Sequence, residues 1–165
     1  MRDLHAVIPG SIRVTRGKLN MKGLAEYANR LEASNVIVIE SWRGGVGCIR
    51  FYRVGDAKLT AVPPILYVKG YRLRRDYRKV AQMPRRRPTM LVILKPQKPW
   101  LKRLAQVLSQ IFNAKLVSEE FISTSEVFLQ IMEDSGVPRL AFFSSRSKEE
   151  VGPSITLRAI GWDVK

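Results

Sequence analysis

Hydrophobic and polar positions repeat with two different periods along the chain, which predicts both helices and strands. Apolar residues recur every three or four positions at 21–33 and 101–112, the spacing that places them on one face of a helix. Asn20 directly precedes the first of these segments and is suited to cap it. The segment Leu4 to Ile8 resembles the end of a further helix, which Pro9-Gly10 stops.

Other segments have the pattern of strands. The continuous apolar run at 36–39 predicts a central strand that is buried on both faces, and the run at 90–94 predicts a second buried strand. Shorter runs predict strands at 12–14, 48–54, 58–62, 65–73, 116–117, 140–143 and 154–160, with Pro63-Pro64 as an interruption. The sequence from Ser123 to Glu126 fits a capping box and predicts one more helix, to about Asp134.

The order of these elements predicts an α/β fold with two similar halves. Strands alternate with helices, which favours helices packed on a mixed sheet. With an offset of 103 residues, Leu19-Asn20 falls on Ile122-Ser123 and the run 36–39 falls on 139–142. We interpret this as an internal duplication in which each half has its own mixed sheet and packed helices. The expected boundaries within a single domain, 1–165, are an N-terminal half at 1–80, a basic linker at 81–89 and a C-terminal half at 90–165.

Charge is the most informative property of the composition. The 165 residues include 29 Lys and Arg against 14 Asp and Glu, a net charge of +15. Residues 69–103 alone hold 13 basic residues and one acidic residue. A solvated protein surface usually mixes both signs, so an excess of one sign is more typical of a surface that binds phosphates. The pI near 10.5 therefore indicates a polyanionic partner.

Arginine suits such a partner, because its guanidinium binds phosphate through two hydrogen bonds and stacks on bases. The turn at 16–18 places a glycine between two basic residues, so that backbone N–H groups can approach an anion. The RNA-contact residues that we predict are Arg13, Arg16, Lys18, Lys69, Arg72, Arg74, Arg75, Arg78, Lys79, Arg85, Arg86 and Arg87. Two alternatives stay open: an ordinary turn at 16–18, and a basic linker without specific contacts.

Aromatic residues are interleaved with these arginines. Tyr71 and Tyr77 could stack on unpaired bases, as in proteins that bind single-stranded RNA, or they could pack inward. Packing inward is the favoured interpretation for Tyr67.

Several classes of function are excluded or disfavoured. Cys48 is the only cysteine and His5 the only histidine, so the chain has no intrachain disulfide, no multi-cysteine metal site and no recognisable nucleophile with its base. The acidic pairs at 119–120 and 133–134 lack the spacing of a nuclease. We therefore expect no enzyme activity, no cofactor, no metal and no small-molecule substrate. The apolar runs are too short for a signal peptide or a membrane span, and we expect a soluble intracellular protein without membrane contact.

Three stretches resemble the Brix domain family of ribosome-assembly proteins, most closely its small-subunit processome branch. Arg2-Asp3-Leu4 through Pro9-Gly10-Ser11 to Arg16-Gly17 is similar to the opening signature of the family. Asn35 to Glu40 followed by Arg43-Gly44 is similar to its apolar strand and basic turn. The stretch from Glu150 to Arg158 resembles the closing motif, in which Gly-Pro precedes a strand. The stretch 45–49 departs from the family, which has a segment rich in Gly, Pro and Thr at this point.

The resemblance implies a particular fold and function. It implies two halves that are each akin to the anticodon-binding domain of class II aminoacyl-tRNA synthetases. It also implies a non-catalytic, RNA-binding ribosome biogenesis factor, with ribosomal RNA or its precursor and other assembly proteins as partners. An archaeal-type single-domain member would be cytoplasmic, whereas eukaryotic relatives are nucleolar. The alternative is a protein-interaction scaffold of a pre-ribosomal particle with only electrostatic affinity for RNA.

Overall fold

The computed structural model describes residues 2–17, 19–56, 58–77 and 87–163. The helices in these ranges are α1 (Arg2–Val7), α2 (Met21–Arg30) and α3 (Pro99–Ile111). The strands are β1 (Asn35–Trp42), β2 (Gly45–Gly55), β3 (Lys58–Arg72), β4 (Leu91–Leu94), β5 (Lys115–Val117), β6 (Val127–Asp134), β7 (Val137–Ser144) and β8 (Glu150–Gly161). Short 3-10 helices lie at Arg74–Asp76 and Glu119–Thr124.

The strands form one mixed sheet in the order β1-β2-β3-β8-β7-β6-β4-β5. β1 pairs antiparallel with β2, β2 with β3, β6 with β7 and β7 with β8. β4 instead pairs parallel with both β5 and β6. The predicted α/β class is therefore confirmed as a mixed sheet with helices.

The chain divides into two compact units. The larger unit comprises Met1–Arg13 and Lys69–Arg158, and the smaller unit comprises Val14–Val68 and Ala159–Lys165. This division differs from the predicted halves, which meet at 81–89. Residues 1–13 and 69–80 group with the second part of the chain, and residues 159–165 group with the first part. Residues 81–86 of the predicted linker lie outside the described residues.

The core of the larger unit is built by α3 and the strands β4 and β6. The predicted apolar stripe of α3 is buried, with Leu104, Ala105 and Leu108 fully shielded from solvent. In β4, Leu91, Val92 and Ile93 are at most 1% exposed. A strand that is buried on both faces is typical of parallel pairing, and both neighbours of β4 run parallel to it. The predictions of α3 and β4 are therefore confirmed.

In the smaller unit, α2 begins at the predicted cap. The Asn20 side chain accepts a hydrogen bond from the Gly23 amide at 2.8 Å, which satisfies one of the free N–H groups of the first turn. The helix buries Leu24, Ala25 and Ala28. It ends at Arg30, slightly before the predicted end.

The helix predicted at 123–134 is wrong, because this segment forms strand β6. The Ser125 hydroxyl does not cap a helix and instead donates to the Met90 carbonyl at 2.6 Å. Residues 127–129 are all buried between β4 and β7. Burial on both faces of a strand therefore outweighs the local capping pattern.

Three strand predictions also need correction. Residues 12–14 form no strand, and Ile12 is 61% exposed, since three alternating residues are too few to determine a partner. β1 lies at one end of the strand order instead of the centre, with only Val38 buried. β3 continues through Pro63-Pro64. The register of its pairing with β2 shifts at this point, and a bulge tolerates residues that cannot donate to the ladder.

The predicted offset of 103 residues is also wrong, since it places α2 opposite strand β6. A different correspondence exists between β1-β2-β3 and β6-β7-β8. The first three strands begin at 35, 45 and 58, and the other three begin 92 positions later, at 127, 137 and 150. The two hairpin turns match as well, with φ values of 50° and 80° at Arg43-Gly44 and of 49° and 80° at Ser135-Gly136. Two successive positive φ values are typical of a tight two-residue hairpin turn.

A candidate RNA-binding surface

The predicted RNA-binding surface lies mainly in residues 69–103, which we call the basic segment. Its 3-10 helix, Arg74–Asp76, belongs to the larger unit. Asp76 is the single acidic residue of the segment 69–103, and its carboxylate accepts a hydrogen bond from the Leu73 amide at 2.9 Å. Its other oxygen lies 3.8 Å from Nε of Arg75, whose side chain is 82% exposed. An exposed ion pair at this distance contributes little. The carboxylate therefore stabilises the turn and neutralises little of the positive charge around it.

Helix α1 holds this turn in place. Oδ2 of Asp3 accepts a hydrogen bond from the Arg74 amide at 2.7 Å, between residues 71 positions apart. The Arg74 side chain is half-buried, and its Nε is buried without a hydrogen-bond partner among the described residues. The opening motif thus contributes a structural contact to the basic segment.

Tyr77 anchors the basic segment to the start of β8. Its side chain is 7% exposed, and its hydroxyl donates to Oε1 of Glu150 at 2.5 Å and lies 2.8 Å from Oγ of Ser154. Arg139 donates to the same Glu150 oxygen. Burial, together with the neighbouring Glu150 carboxylate, raises the pKa of the Tyr77 hydroxyl. The guanidinium of Arg72 lies over the Tyr77 ring, 4.0 Å from its centroid, a cation–π contact.

Gly152 of the closing motif makes this anchor possible. A Cβ atom at position 152 would lie 2.4 Å from Cε2 of Tyr77, and the backbone of Gly152 has a φ of +68°. Only glycine satisfies both the close approach and the left-handed backbone. The Gly-Pro pair therefore serves the fold, as its position before a strand predicts, by receiving the aromatic ring of the basic segment.

Arg87 makes the second attachment, on the C-terminal side of residues 78–86. Nη2 of Arg87 lies 2.9 Å from the Ile8 carbonyl, 3.0 Å from the Ser11 carbonyl and 2.9 Å from the Ser11 hydroxyl. Pro88, which follows, is buried. The carbonyl groups that follow α1 thus bind Arg87, whereas Asp3 near its start binds the Arg74 amide. The opening motif, through α1 and the residues that follow it, therefore contacts the basic segment before and after residues 78–86.

The predicted RNA-contact residues differ in their exposure to solvent. Lys69, Arg72, Arg75 and Arg87 are exposed in the larger unit, together with Arg13. Arg16 is exposed in the smaller unit, where its Nε donates to the Leu19 carbonyl at 2.8 Å. The predicted residues outside the described ranges are Lys18, Arg78, Lys79, Arg85 and Arg86.

The aromatic residues that lie among these basic residues in the sequence also differ in their exposure to solvent. Of the two interpretations left open for Tyr77, the structure supports inward packing, because its ring is buried against Gly152. Tyr71 is 46% exposed and Trp100 is 45% exposed, so their rings are accessible. Tyr67 is half-buried, which agrees with the interpretation that it packs inward.

Sequence reasoning passed over Glu150, Ser154 and Arg139 as supports of this surface. They act through contacts that join residues 73 and 77 positions apart. A signal was available in Glu150, since an acidic residue that precedes a buried strand needs a hydrogen-bonding partner.

The smaller unit contains a separate polar cluster around Cys48. Sγ of Cys48 donates to Oε2 of Glu40 at 3.0 Å, and Nε of Arg50 lies 3.3 Å from the same oxygen. The hydrogen bond from Cys48 and the contact with Arg50 lower the pKa of Glu40, while burial and the nearby carboxylate raise the pKa of the Cys48 thiol. A thiol that keeps its proton is a poor nucleophile. The cluster is therefore structural.

The described residues contain no arrangement for metal binding. No group of three or more His, Cys, Asp or Glu side chains that could hold a metal ion occurs among them. Nδ1 of His5 lies 3.2 Å from the Ser11 hydroxyl, which agrees with a packing role. Within the same ranges, no helix has the length and apolar character needed to span a membrane.

Comparison with known proteins agrees with the resemblance seen in the sequence. A probable Brix domain-containing ribosomal biogenesis protein of Aeropyrum pernix is 37% identical over 78 residues, which cover 47% of this chain and 43% of the relative. A protein of the same description from Pyrococcus horikoshii is 30% identical over 117 residues, 70% of this chain and 52% of the relative. The chain thus spans about half the length of these curated relatives. No protein-family model matches it.

A solved structure extends the similarity to nearly the whole fold. The crystal structure of a probable ribosomal biogenesis protein from Aeropyrum pernix K1 has a TM-score of 0.78 and 27% sequence identity, and the match covers 99% of this chain and 87% of that one. The mixed sheet with its helices is therefore similar to the fold of that ribosomal biogenesis protein. The chain is a homologue of the archaeal Brix domain-containing proteins, which confirms the resemblance to this family. The names of the relatives specify no branch of it.

Proposed function

We propose that this protein binds ribosomal RNA or its precursor through the basic surface of the larger unit and acts, without catalysis, in ribosome assembly. One observation carries the proposal: the segment 69–103 has 13 basic residues and one acidic residue, and that acidic residue is used to stabilise a turn. Three basic residues of this segment, Lys69, Arg72 and Arg75, are exposed to solvent.

Phosphate binding explains why such a concentration of like charge is retained. An excess of positive charge destabilises the folded state through repulsion between like charges. Contact with the phosphates of RNA releases counterions and offsets this repulsion. The attachments at Tyr77 and Arg87 support the proposal further, because they hold both flanks of residues 78–86 on the folded domain. Ordering the flanks before binding reduces the entropy that RNA binding must overcome.

The relatives support the biological setting. They are described as ribosomal biogenesis proteins, and in this proposal the present chain has the same kind of role. Residues 104–165 contain eight acidic and six basic residues, a balance that suits contact with other assembly proteins better than contact with RNA. We therefore assign RNA binding to the basic segment and protein contacts to this part of the chain.

The internal duplication is part of the proposal, with a corrected correspondence. In it, β1-β2-β3 and β6-β7-β8 descend from one ancestral three-stranded unit, at an offset of 92 residues. Corresponding strands begin at a constant offset of 92 residues, and the two hairpin turns have matching φ values; both observations support this common origin. Likeness of each half to an anticodon-binding domain follows only from the family resemblance, and superposing the two units separately on such a domain tests it.

Crosslinking in cells tests the proposed function. We expect RNA attached to the protein by ultraviolet light to be enriched in ribosomal RNA or its precursor, compared with total cellular RNA. The double variant Arg85→Ala/Arg86→Ala should lose most of this RNA. The matched control Lys115→Ala/Arg146→Ala removes the same charge at exposed positions outside the basic segment and should keep it.

Each other outcome contradicts part of the proposal. Crosslinked RNA with the composition of total RNA would contradict a role in ribosome assembly. Association with the particle but no crosslinked RNA would favour the scaffold alternative. Cleavage of labelled RNA by the purified protein in Mg²⁺ or Mn²⁺ would contradict the non-catalytic role.

A further inference from the structure

The tip of the β1–β2 hairpin in the smaller unit exposes an aromatic residue beside an arginine. Trp42, the last residue of β1, is 56% exposed. The guanidinium carbon of Arg43 lies 5.9 Å from the centroid of its ring. Tryptophan is mostly buried in soluble proteins, so its exposure at a hairpin tip calls for an explanation.

The backbone around the tip is shaped to accommodate Trp42. The register of β1 and β2 shifts between Glu40 and Ser41, so that Gly47 becomes an extra residue without a partner. A Cβ atom at position 47 would lie 2.7 Å from Cβ of Trp42, so only glycine leaves room for it. Bulges of this kind re-aim the side chains of a strand.

The β6–β7 hairpin shows that the turn itself requires none of these features. Its turn has the same φ values, yet its register runs without a shift from Val127 to Asp134. The residues at the positions of Trp42 and Arg43 are Asp134 and Ser135. The positive φ of the first turn residue is common to both hairpins. The bulge at Gly47 and the exposed Trp42 with its neighbouring Arg43 distinguish the β1–β2 tip from the simpler hairpin.

We infer that this tip is a second RNA-contact site, in which Trp42 stacks on an unpaired nucleobase and Arg43 binds the adjacent phosphate. The inference rests on the proposed function and extends it to the smaller unit. Aromatic rings next to arginine are the usual platform for unpaired bases. The ranges of the smaller unit hold nine basic and five acidic residues, which favours a polyanion over a protein as the ligand.

The test compares two RNA hairpins of the same stem, one fully paired and one with a bulged purine. We expect the wild-type protein to prefer the bulged RNA, and Trp42→Ala to weaken binding to it about 5- to 150-fold, the range for loss of one stacked base. Trp42→Phe should retain most of the affinity, because it keeps a ring. The salt dependence of binding should not change, since no charge is removed. Phe121→Ala, at a similarly exposed aromatic residue outside the segment 69–103, is the matched control and should bind as the wild type does.

A second measurement needs no variant. When the bulged RNA hairpin, with 5-iodouridine in place of its unpaired purine, is irradiated with the wild-type protein, the crosslink should map to residues 42–43. Crosslinks confined to other residues would overturn the inference.

The outcomes distinguish this inference from the proposed function. If Trp42→Ala binds both RNAs as the wild type does, while Arg85→Ala/Arg86→Ala binds weakly, the inference is overturned and the proposed function stands. If the wild-type protein binds neither RNA, both are overturned. If Trp42→Ala keeps its RNA affinity but loses a protein from the assembly particle, the tip is a protein-docking site and the inference is overturned.

Discussion

The attachment of Tyr77 to the start of β8 gives the sharpest prediction of stability. Tyr77→Phe removes only the hydroxyl, which donates to Glu150 and contacts Ser154 in a buried setting. A hydrogen bond to a charged acceptor contributes about 1.5–3 kcal/mol. Arg139 still contacts Glu150 in the variant, which places the expected loss near the lower end, at about 2 kcal/mol. The equilibrium constant for unfolding should then rise roughly 30-fold.

Urea unfolding at pH 7 measures this loss as a lower midpoint with an unchanged slope. Tyr71→Phe is the control, because Tyr71 is 46% exposed. This substitution should change the free energy of unfolding by less than about 0.5 kcal/mol. A raised pKa stabilises the folded state below the unfolded value near 10, and this contribution disappears as the pH rises through the folded pKa. Tyr77→Phe should therefore flatten the alkaline decline in stability. A cost below about 0.5 kcal/mol at pH 7 would refute the anchoring role of Tyr77.

Three further predictions follow from the contacts around the two clusters. Gly152→Ala should destabilise the fold by about 2–4 kcal/mol in urea unfolding, because the added Cβ meets the Tyr77 ring at a positive φ; a neutral substitution would contradict the close packing. Arg87→Ala should cost about 0.5–1.5 kcal/mol, since it removes the donor of two partly exposed carbonyl groups; a change in RNA affinity without any loss of stability would show that these bonds do not attach the basic segment to the fold. Glu40→Gln should remove stability above the unfolded pKa near 4.3 and little below the lowered folded pKa, so the unfolding curves of both proteins should converge as the pH falls through the folded pKa of Glu40.

Local sequence patterns predicted the elements whose signals are self-contained. The cap of Asn20 and the apolar stripe of α3 each lie within one turn or one face of a helix, and both are confirmed. The segment from Ser123 also has a complete local signal, but its residues lie between β4 and β7. Tertiary burial decides such cases, and a single sequence does not reveal the neighbours of a strand.

The candidate surface was predicted to a similar extent. The excess of charge at 69–103 is visible in the sequence, because it needs only counting. The different roles of Tyr77 and Arg87 were not predictable, since both depend on contacts between residues more than 70 positions apart. The exposure of Trp42 at the hairpin tip was not predicted, because this exposure depends on a register shift between β1 and β2 that composition does not encode.

The most direct test of the central claim is the dependence of RNA affinity on salt. Contact with five phosphates should give a slope of about −4 in a plot of log affinity against log salt concentration, by analogy with the value per phosphate of duplex DNA. Arg85→Ala/Arg86→Ala should flatten this slope by about 1 to 2, whereas Lys115→Ala/Arg146→Ala should leave it unchanged. Equal slopes for the two double variants and the wild type would contradict phosphate binding by the basic segment.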